Sequence, residues 1–211
     1  MNILKLREDT FSHAVSETER VLRSGGIIIS PTDTVYGILG DATNESAVSK
    51  MFALKNRRLE KAFPVFVCDI AMARHYAYIS DSKARFLQKV WPGPVTVVFH
   101  HKENLPNILT DGLDTIGLRI PHDPFLAELL KRTDAPIAQT SANISNKPPA
   151  RNVTEIKDYF EKSETPLDLV IDGGELHGQP STVVDFTGNE PLILRSGILT
   201  KHDFDLFLKM I

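Results

Sequence analysis

The sequence predicts a single α/β domain over residues 1–211, with a twisted sheet of mixed parallel and antiparallel strands and flanking helices. Three observations support this. Short apolar runs bounded by Gly and Pro alternate with stretches whose apolar residues recur at helical spacing. Late in the chain, Val183-Val184 and Leu192-Ile193-Leu194 flank Thr187-Gly188-Asn189-Glu190-Pro191, a hairpin that requires antiparallel pairing. No internal repeat, low-complexity tract or linker divides the 211 residues, and 42% hydrophobic content suffices for one sizeable core.

The elements follow in order. Phe11, Ala14, Val15, Thr18, Val21 and Leu22 mark a first helix, capped by Asp9 or Thr10 and stopped at Gly25. Ile27-Ile28-Ile29 is a buried strand whose pairing should end at Pro31, which has no N–H to give a ladder. Asn44 caps a helix with Ala47, Val48, Met51 and Phe52 on its apolar face. Pro64 to Cys68 reads as a strand. Ser80 or Asp81 opens a helix through Phe86, Leu87, Val90 and Trp91, broken by Pro92-Gly93-Pro94. Strands follow at Val95–Phe99 and Ile116–Ile120, then a helix with Phe125, Leu126, Leu129 and Leu130. Ile137-Ala138-Gln139 is a short strand. Asn152 and Glu155 form a capping box for the helix of Ile156, Tyr159 and Phe160. Leu169–Ile171 is a strand, and a last helix carries Phe204, Phe207, Leu208 and Ile211.

Net charge of −3 argues against a protein whose main task is neutralising nucleic-acid phosphates. The one cysteine, Cys68, rules out an internal disulfide and fits a reducing compartment; beside Val65-Phe66-Val67 it reads as an inert thiol. The charged N-terminus lacks a signal-peptide core, and no apolar run reaches membrane-spanning length. A soluble, cytoplasmic protein is the expectation.

One kind of junction recurs: an apolar strand ends in hydroxyl-bearing or basic residues. It occurs at Pro31-Thr32-Asp33-Thr34, Arg119-Ile120-Pro121, Thr140-Ser141-Ala142-Asn143, Pro180-Ser181-Thr182 and Arg195-Ser196-Gly197. One such junction is a turn, whereas five suggest a lined pocket. Between Lys50 and Lys61, five cations (Lys50, Lys55, Arg57, Arg58, Lys61) face one acid, Glu60. A basic helix end has a structural use, but forked Arg donors and mobile Lys charges also suit polyphosphate. Neither a P-loop nor a Rossmann glycine pattern is present, the seven histidines form no zinc motif, and no metal ligands are expected. A triad from Ser141, His122 and Asp123 lacks any nucleophile-elbow motif.

Taken together, these stretches resemble the YrdC/Sua5 family, the threonylcarbamoyl-AMP synthases, in its single-domain form. The resemblance rests on Ser30-Pro31-Thr32-Asp33-Thr34-Val35-Tyr36-Gly37, Lys55-Asn56-Arg57, Trp91-Pro92-Gly93-Pro94-Val95-Thr96 and Gly117-Leu118-Arg119-Ile120-Pro121. It continues through Thr140-Ser141-Ala142-Asn143, Pro180-Ser181-Thr182-Val183-Val184-Asp185 and Leu194-Arg195-Ser196-Gly197. It implies an open sheet around a large concave cavity, and an enzyme joining L-threonine, bicarbonate or CO2, and ATP into threonylcarbamoyl-AMP and pyrophosphate. The product serves the N6-threonylcarbamoyladenosine modification of tRNA through downstream transfer machinery, with weak RNA or tRNA binding and no membrane partner.

By matching positions, the resemblance makes Lys55 and Arg57 catalytic and ATP-binding, with Lys61, Thr115, Ser141, Asn143 and Arg195 as further nucleotide ligands. Thr32, Thr34, Tyr36, Arg119, Gln139 and Ser181 fall to threonine, and Mg2+ to the ATP phosphates and water. The chain departs from the family pattern at Arg58 and Ala62-Phe63, where prolines and a leucine are usual, and at Ser196 after Arg195. The alternative from another class is a double-stranded RNA-binding module without adenylation activity, against which stand the acidic net charge and the lack of aromatic residues among the cations. A carbamoyl-phosphate-using transferase or hydrolase on the same fold is a third reading.

Overall fold

The computed structural model of the chain describes residues 1–55, 62–200, 202 and 204. Its elements are β1 (Asn2–Lys5), α1 (Phe11–Arg23), β2 (Ile27–Ser30), β3 (Gly37–Asp41), α2 (Glu45–Leu54), β4 (Val65–Phe66), α3 (Ile70–Tyr76), α4 (Asp81–Val90) and β5 (Val95–His100). They continue with α5 (Asn107–Thr110), β6 (Thr115–Arg119), α6 (Pro124–Thr133), β7 (Ile137–Ser141), α7 (Val153–Phe160), β8 (Leu169–Asp172), β9 (Thr182–Asp185) and β10 (Leu192–Arg195). The ten strands lie in one sheet, in the order β1-β8-β2-β3-β7-β4-β6-β5-β9-β10. Pairing is mixed: β8 is parallel to both β1 and β2, and β5 to β9, while β3 is antiparallel to β2 and β7. The late hairpin is β9–β10, antiparallel with an irregularity between Ile193 and Arg195.

The sheet is buried on both sides around β2. Ile27 and Ile29 join the larger apolar cluster with Val48 and Met51 of α2, whereas Ile28 joins a second cluster with Val15 and Leu22 of α1 and Leu126 and Leu129 of α6. This explains the unbroken Ile-Ile-Ile run, since alternation is needed only where one face meets water. β2 stops at Ser30, one residue before Pro31. The chain turns through residues 31–36 and returns as β3, with Ser30 paired to Gly37. The polar turn is therefore a hairpin loop at the sheet rim.

The caps follow the sequence at three helices: Asn44 accepts from Ser46 N and Ala47 N, Ser80 from Lys83 N, and Asn152 from Glu155 N. Two details differ. Thr10 is the N-cap of α1, but its hydroxyl turns back to accept from Arg7 N and donate to Lys5 O. Glu155 accepts from Arg151 N rather than closing a reciprocal box on Asn152. The expected strand at 64–68 narrows to Val65–Phe66, and β1, β3, α3 and α5 are elements beyond the sequence expectation. His202 and Phe204 are helical, while Phe207, Leu208 and Ile211 lie outside the described residues. Among the described residues, no helix is long and apolar enough to cross a membrane.

Candidate active site

Residues 115, 117 and 119 of β6 alternate onto one side of the strand, while Ile116 and Leu118 turn into the core. On β5, Thr96 and Val98 share that cavity-facing side, and Val97 and Phe99 are core. Gly117 sits opposite Val98, where a Cβ would stand 3.1 Å from Thr96 Cγ2. These strands, with Val183 of β9 and Leu194 and Arg195 of β10, line a cavity of about 540 Å³. Thr34 and Val35 of the hairpin loop, Gln139 to Ser141 of β7, and Pro180-Ser181 complete its walls. Lys55 and Ala62, on either side of segment 56–61, both line it.

One wall is built on Arg119, which is 1% exposed. Its Nε donates to Gly93 O at 2.9 Å, its Nη2 pairs with Asp33 Oδ1 at 2.5 Å, and its Nη1 donates to Thr34 Oγ1 at 3.3 Å. Asp33 also accepts from His122 N at 2.9 Å. Burial pushes the Arg119 guanidinium down from its usual value, and the Asp33 carboxylate opposes this. An arginine remains charged under both influences. Thr32 holds the loop: its hydroxyl donates to Val35 O at 2.7 Å and accepts from Thr34 N and Val35 N. Its oxygen also lies 2.9 Å from Thr34 Oγ1, so the two hydroxyls share a hydrogen bond. The Tyr36 hydroxyl donates to Gly174 O at 2.7 Å and accepts from Gly173 N at 3.0 Å, tying the loop to the chain after β8. On the floor, Thr96 Oγ1 and Ser181 Oγ are 2.9 Å apart, and Arg195 Nη2 donates to Ser181 O at 3.0 Å. Burial lowers the pKa of Arg195.

The other wall is built on Lys55, the C-cap of α2, which is 4% exposed. Its Nζ donates to Ser141 O at 2.8 Å and Asn143 Oδ1 at 2.7 Å. Ser141 Oγ donates to the same Asn143 oxygen at 2.6 Å, and Asn143 Nδ2 donates to Lys147 O at 2.6 Å. The main chain of Lys55 is gripped as well, its carbonyl accepting from Ser145 N and Ser145 Oγ.

Of the residues expected from sequence, Lys55, Thr115, Ser141, Arg195, Thr34, Arg119, Gln139 and Ser181 line this one cavity. Asn143 and Thr32 stand one hydrogen bond behind lining residues. Tyr36 is wholly buried and braces the loop from behind rather than lining the recess. Arg57 and Lys61 lie outside the described residues. Sequence reasoning assigned no role to Thr96, Thr140, Gly93 or Asp33. The signal for Thr96 was its place in Trp91–Thr96, and for Asp33 its carboxylate between two threonines at a strand end.

The fold and cavity define an open α/β protein with a cationic, hydroxyl-lined recess at the rim of a mixed sheet. Residues 20–197 match the profile of the Sua5/YciO/YrdC family, which carries the description "Telomere recombination". The threonylcarbamoyl-AMP synthase of Klebsiella pneumoniae is 31% identical over 177 residues, covering 82% of this chain and 92% of that protein. The human threonylcarbamoyl-AMP synthase is 36% identical over 174 residues, covering 79% of this chain but 60% of the relative. Among solved structures, Pyrococcus abyssi Sua5 complexed with L-threonine superposes with a TM-score of 0.91 at 30% identity, over 100% of this chain and 62% of that one. The chain therefore belongs to the Sua5/YciO/YrdC family. It spans about three fifths of the human and Pyrococcus proteins and nearly all of the Klebsiella one.

Proposed function

We propose that this chain is a threonylcarbamoyl-AMP synthase, acting on L-threonine, bicarbonate or CO2, and ATP in the cytoplasm. The observation that carries the reading is one recess lined by three cations, Lys55, Arg119 and Arg195, and no carboxylate among its described lining residues. Such a recess suits anionic substrates, and about 540 Å³ falls within the range of small-molecule sites. Lys55 and Arg119 are buried, beyond the reach of a stiff RNA duplex, which favours small substrates over a binding module.

On this reading the neutral amine of threonine attacks the carbon of CO2 or bicarbonate, forming the N–C bond; with CO2 the amine proton passes to solvent, and with bicarbonate the C–OH bond breaks and the hydroxide leaves as water with that proton. The resulting N-carboxylate attacks the α-phosphorus of ATP, and the bond to the bridging oxygen breaks to release pyrophosphate. No covalent enzyme intermediate is needed, because the chemistry asks for alignment and charge neutralisation. Lys55 and Arg57 neutralise the departing pyrophosphate. Lys61, Thr115, Ser141, Asn143 and Arg195 hold the nucleotide, and Thr34, Arg119, Gln139 and Ser181 hold threonine, with Thr32 and Tyr36 supporting them. The described lining residues offer Mg2+ no carboxylate. Mg2+ would be held by the ATP phosphates and water, and would neutralise charge on the departing pyrophosphate. The product then passes to the tRNA threonylcarbamoyl-transfer machinery, and weak RNA contact belongs to that hand-over.

Pyrophosphate release is the test, measured with ATP and bicarbonate, with and without L-threonine, and with serine as decoy. Threonine-dependent release is expected, with serine about 10–200-fold poorer for want of one methyl group. Release indifferent to threonine and bicarbonate would overturn the reading.

A further inference from the structure

Arg119 offers five N–H donors. Among the described residues the protein takes three of them: Nε–H by Gly93 O, one on Nη2 by Asp33, and one on Nη1 by Thr34 Oγ1. One N–H on each terminal nitrogen remains for the cavity that Arg119 and Thr34 line together. Neither Asp33 nor Gly93 lines that cavity, so both hold the guanidinium from behind. The Asp33 side chain is 10% exposed and that of Arg119 2%. The second oxygen of Asp33 accepts from His122 N, just past the end of β6, so one carboxylate joins the 31–36 loop to the strand bearing the arginine. The Gly93 peptide closes the frame, because its N–H bonds to Ile120 O while its carbonyl receives Arg119 Nε. The ring of Phe66 lies 5.5 Å from the guanidinium carbon.

We propose that Asp33 is a positioning residue for amino-acid recognition: it fixes the plane and rotamer of Arg119 so that two remaining N–H groups meet the threonine carboxylate. This deepens the site proposed above and rests on that reading. Asp33 does not touch substrate. Its carboxylate lets a buried cation exist beside the recess without moving into it, and it sets the loop carrying Thr34. An arginine released from this frame would keep its charge and lose its aim. A misplacement of about 1 Å in such a group costs on the order of 10²-fold.

The test compares Asp33→Asn, Asp33→Glu and Arg119→Lys with the wild-type chain. Threonine KM is measured at saturating ATP and bicarbonate, ATP KM at saturating threonine, and threonine Kd by calorimetry. Asp33→Asn is expected to raise threonine KM and Kd about 10–100-fold while ATP KM moves less than about threefold. Asp33→Glu, which keeps the charge, should recover part of the loss. A merely structural role would lower active enzyme and leave both KM values alone, and that result overturns the proposal. Arg119→Lys separates the two layers of inference. Raised threonine KM there, with a normal value in Asp33→Asn, sinks the positioning role alone; unchanged threonine KM in Arg119→Lys sinks the threonine assignment itself. Should the Asp33 variants fail to fold, the wild-type protein still decides. Slowly rotating Arg119 Nη–H signals in its NMR spectrum before threonine is added would support a preset fork, and signals that sharpen only with threonine would overturn it.

Discussion

The two walls of the cavity hold their cations differently. Arg119 is fixed by Gly93 O and Asp33, groups that stand outside the recess, with a longer bond of 3.3 Å to Thr34 Oγ1 in the lining. Lys55 donates to Ser141, which lines the recess beside it, and to Asn143, which Ser141 also contacts. A ligand reaching Arg119 leaves its bonds to Gly93 and Asp33 undisturbed, so that wall is preorganised. A phosphate arriving between Lys55 and Ser141 competes with bonds already made there, so side chains must exchange partners. On the function proposed above, one wall would recognise a small carboxylate and the other would receive a charged phosphate chain that arrives and departs.

The largest expected effect falls on the exchanging wall. Lys55→Ala on that wall, and Arg57→Ala through the phosphate role proposed for it, should each reduce pyrophosphate release by about 10²–10³ or more, the loss typical of a charge-stabilising donor in a closed site. If the walls are independent, threonine Kd measured by calorimetry stays within about threefold of wild type. Loss of threonine binding in either variant would break the comparison, because the preorganised wall would then depend on its neighbour.

Next comes Gly178, where the chain leading to Ser181 passes the hairpin loop. A Cβ at Gly178 would lie 1.7 Å from Thr34 O, so alanine must drive the two segments apart. Overpacking of this kind costs about 1–3 kcal/mol, readable as a shift in urea midpoint. Because the displaced group is Thr34, threonine KM should rise several times more than ATP KM. Equal shifts in both would mean that the strain spreads across the cavity.

Much of this arrangement was legible because it depends on local chemistry. Pro31 ends β2 by lacking an N–H, and Asn44, Ser80 and Asn152 cap their helices with side-chain oxygens. The unread parts depend on contacts distant in sequence. Asn2–Lys5 is a strand because β8, more than 160 residues later, pairs with it in parallel. Gly37–Asp41 carries two glycines, a poor strand composition, yet a Cβ at Gly40 would stand 2.8 Å from Met51 Sδ, so the packing of α2 calls for the second. In the site, strand-end hydroxyls and cations pointed to the lining residues. Asp33 escaped notice because its partner stands 86 positions away. The division of labour between Tyr36, which braces, and Thr34, which lines, likewise appears only when the loop is folded.

Tyr36 gives the smallest effect and the finest test of preorganisation. Its hydroxyl is both donor to Gly174 O and acceptor from Gly173 N, and burial is the main cause raising its pKa above the ordinary phenol value. The Gly173 N–H bond favours the phenolate and partly offsets this, while Asp172 disfavours it. With the folded pKa raised, the unfolded chain releases its proton first as pH climbs past about 10. The contribution of this group is therefore fully present and independent of pH near neutrality, and stability falls above that point. Tyr36→Phe should cost about 1 kcal/mol at neutral pH, since Gly173 and Gly174 are exposed and water can replace the lost hydroxyl. It should also remove the titration, so the urea midpoints of variant and wild type converge between about pH 8 and about pH 11. A gap that stays constant over that interval would show that the hydroxyl does not titrate differently in the two states. Threonine KM should rise no more than a few-fold, because Arg119, Asp33 and Thr32 still hold the loop; a rise matching that of Asp33→Asn would instead move Tyr36 into the frame that sets the fork.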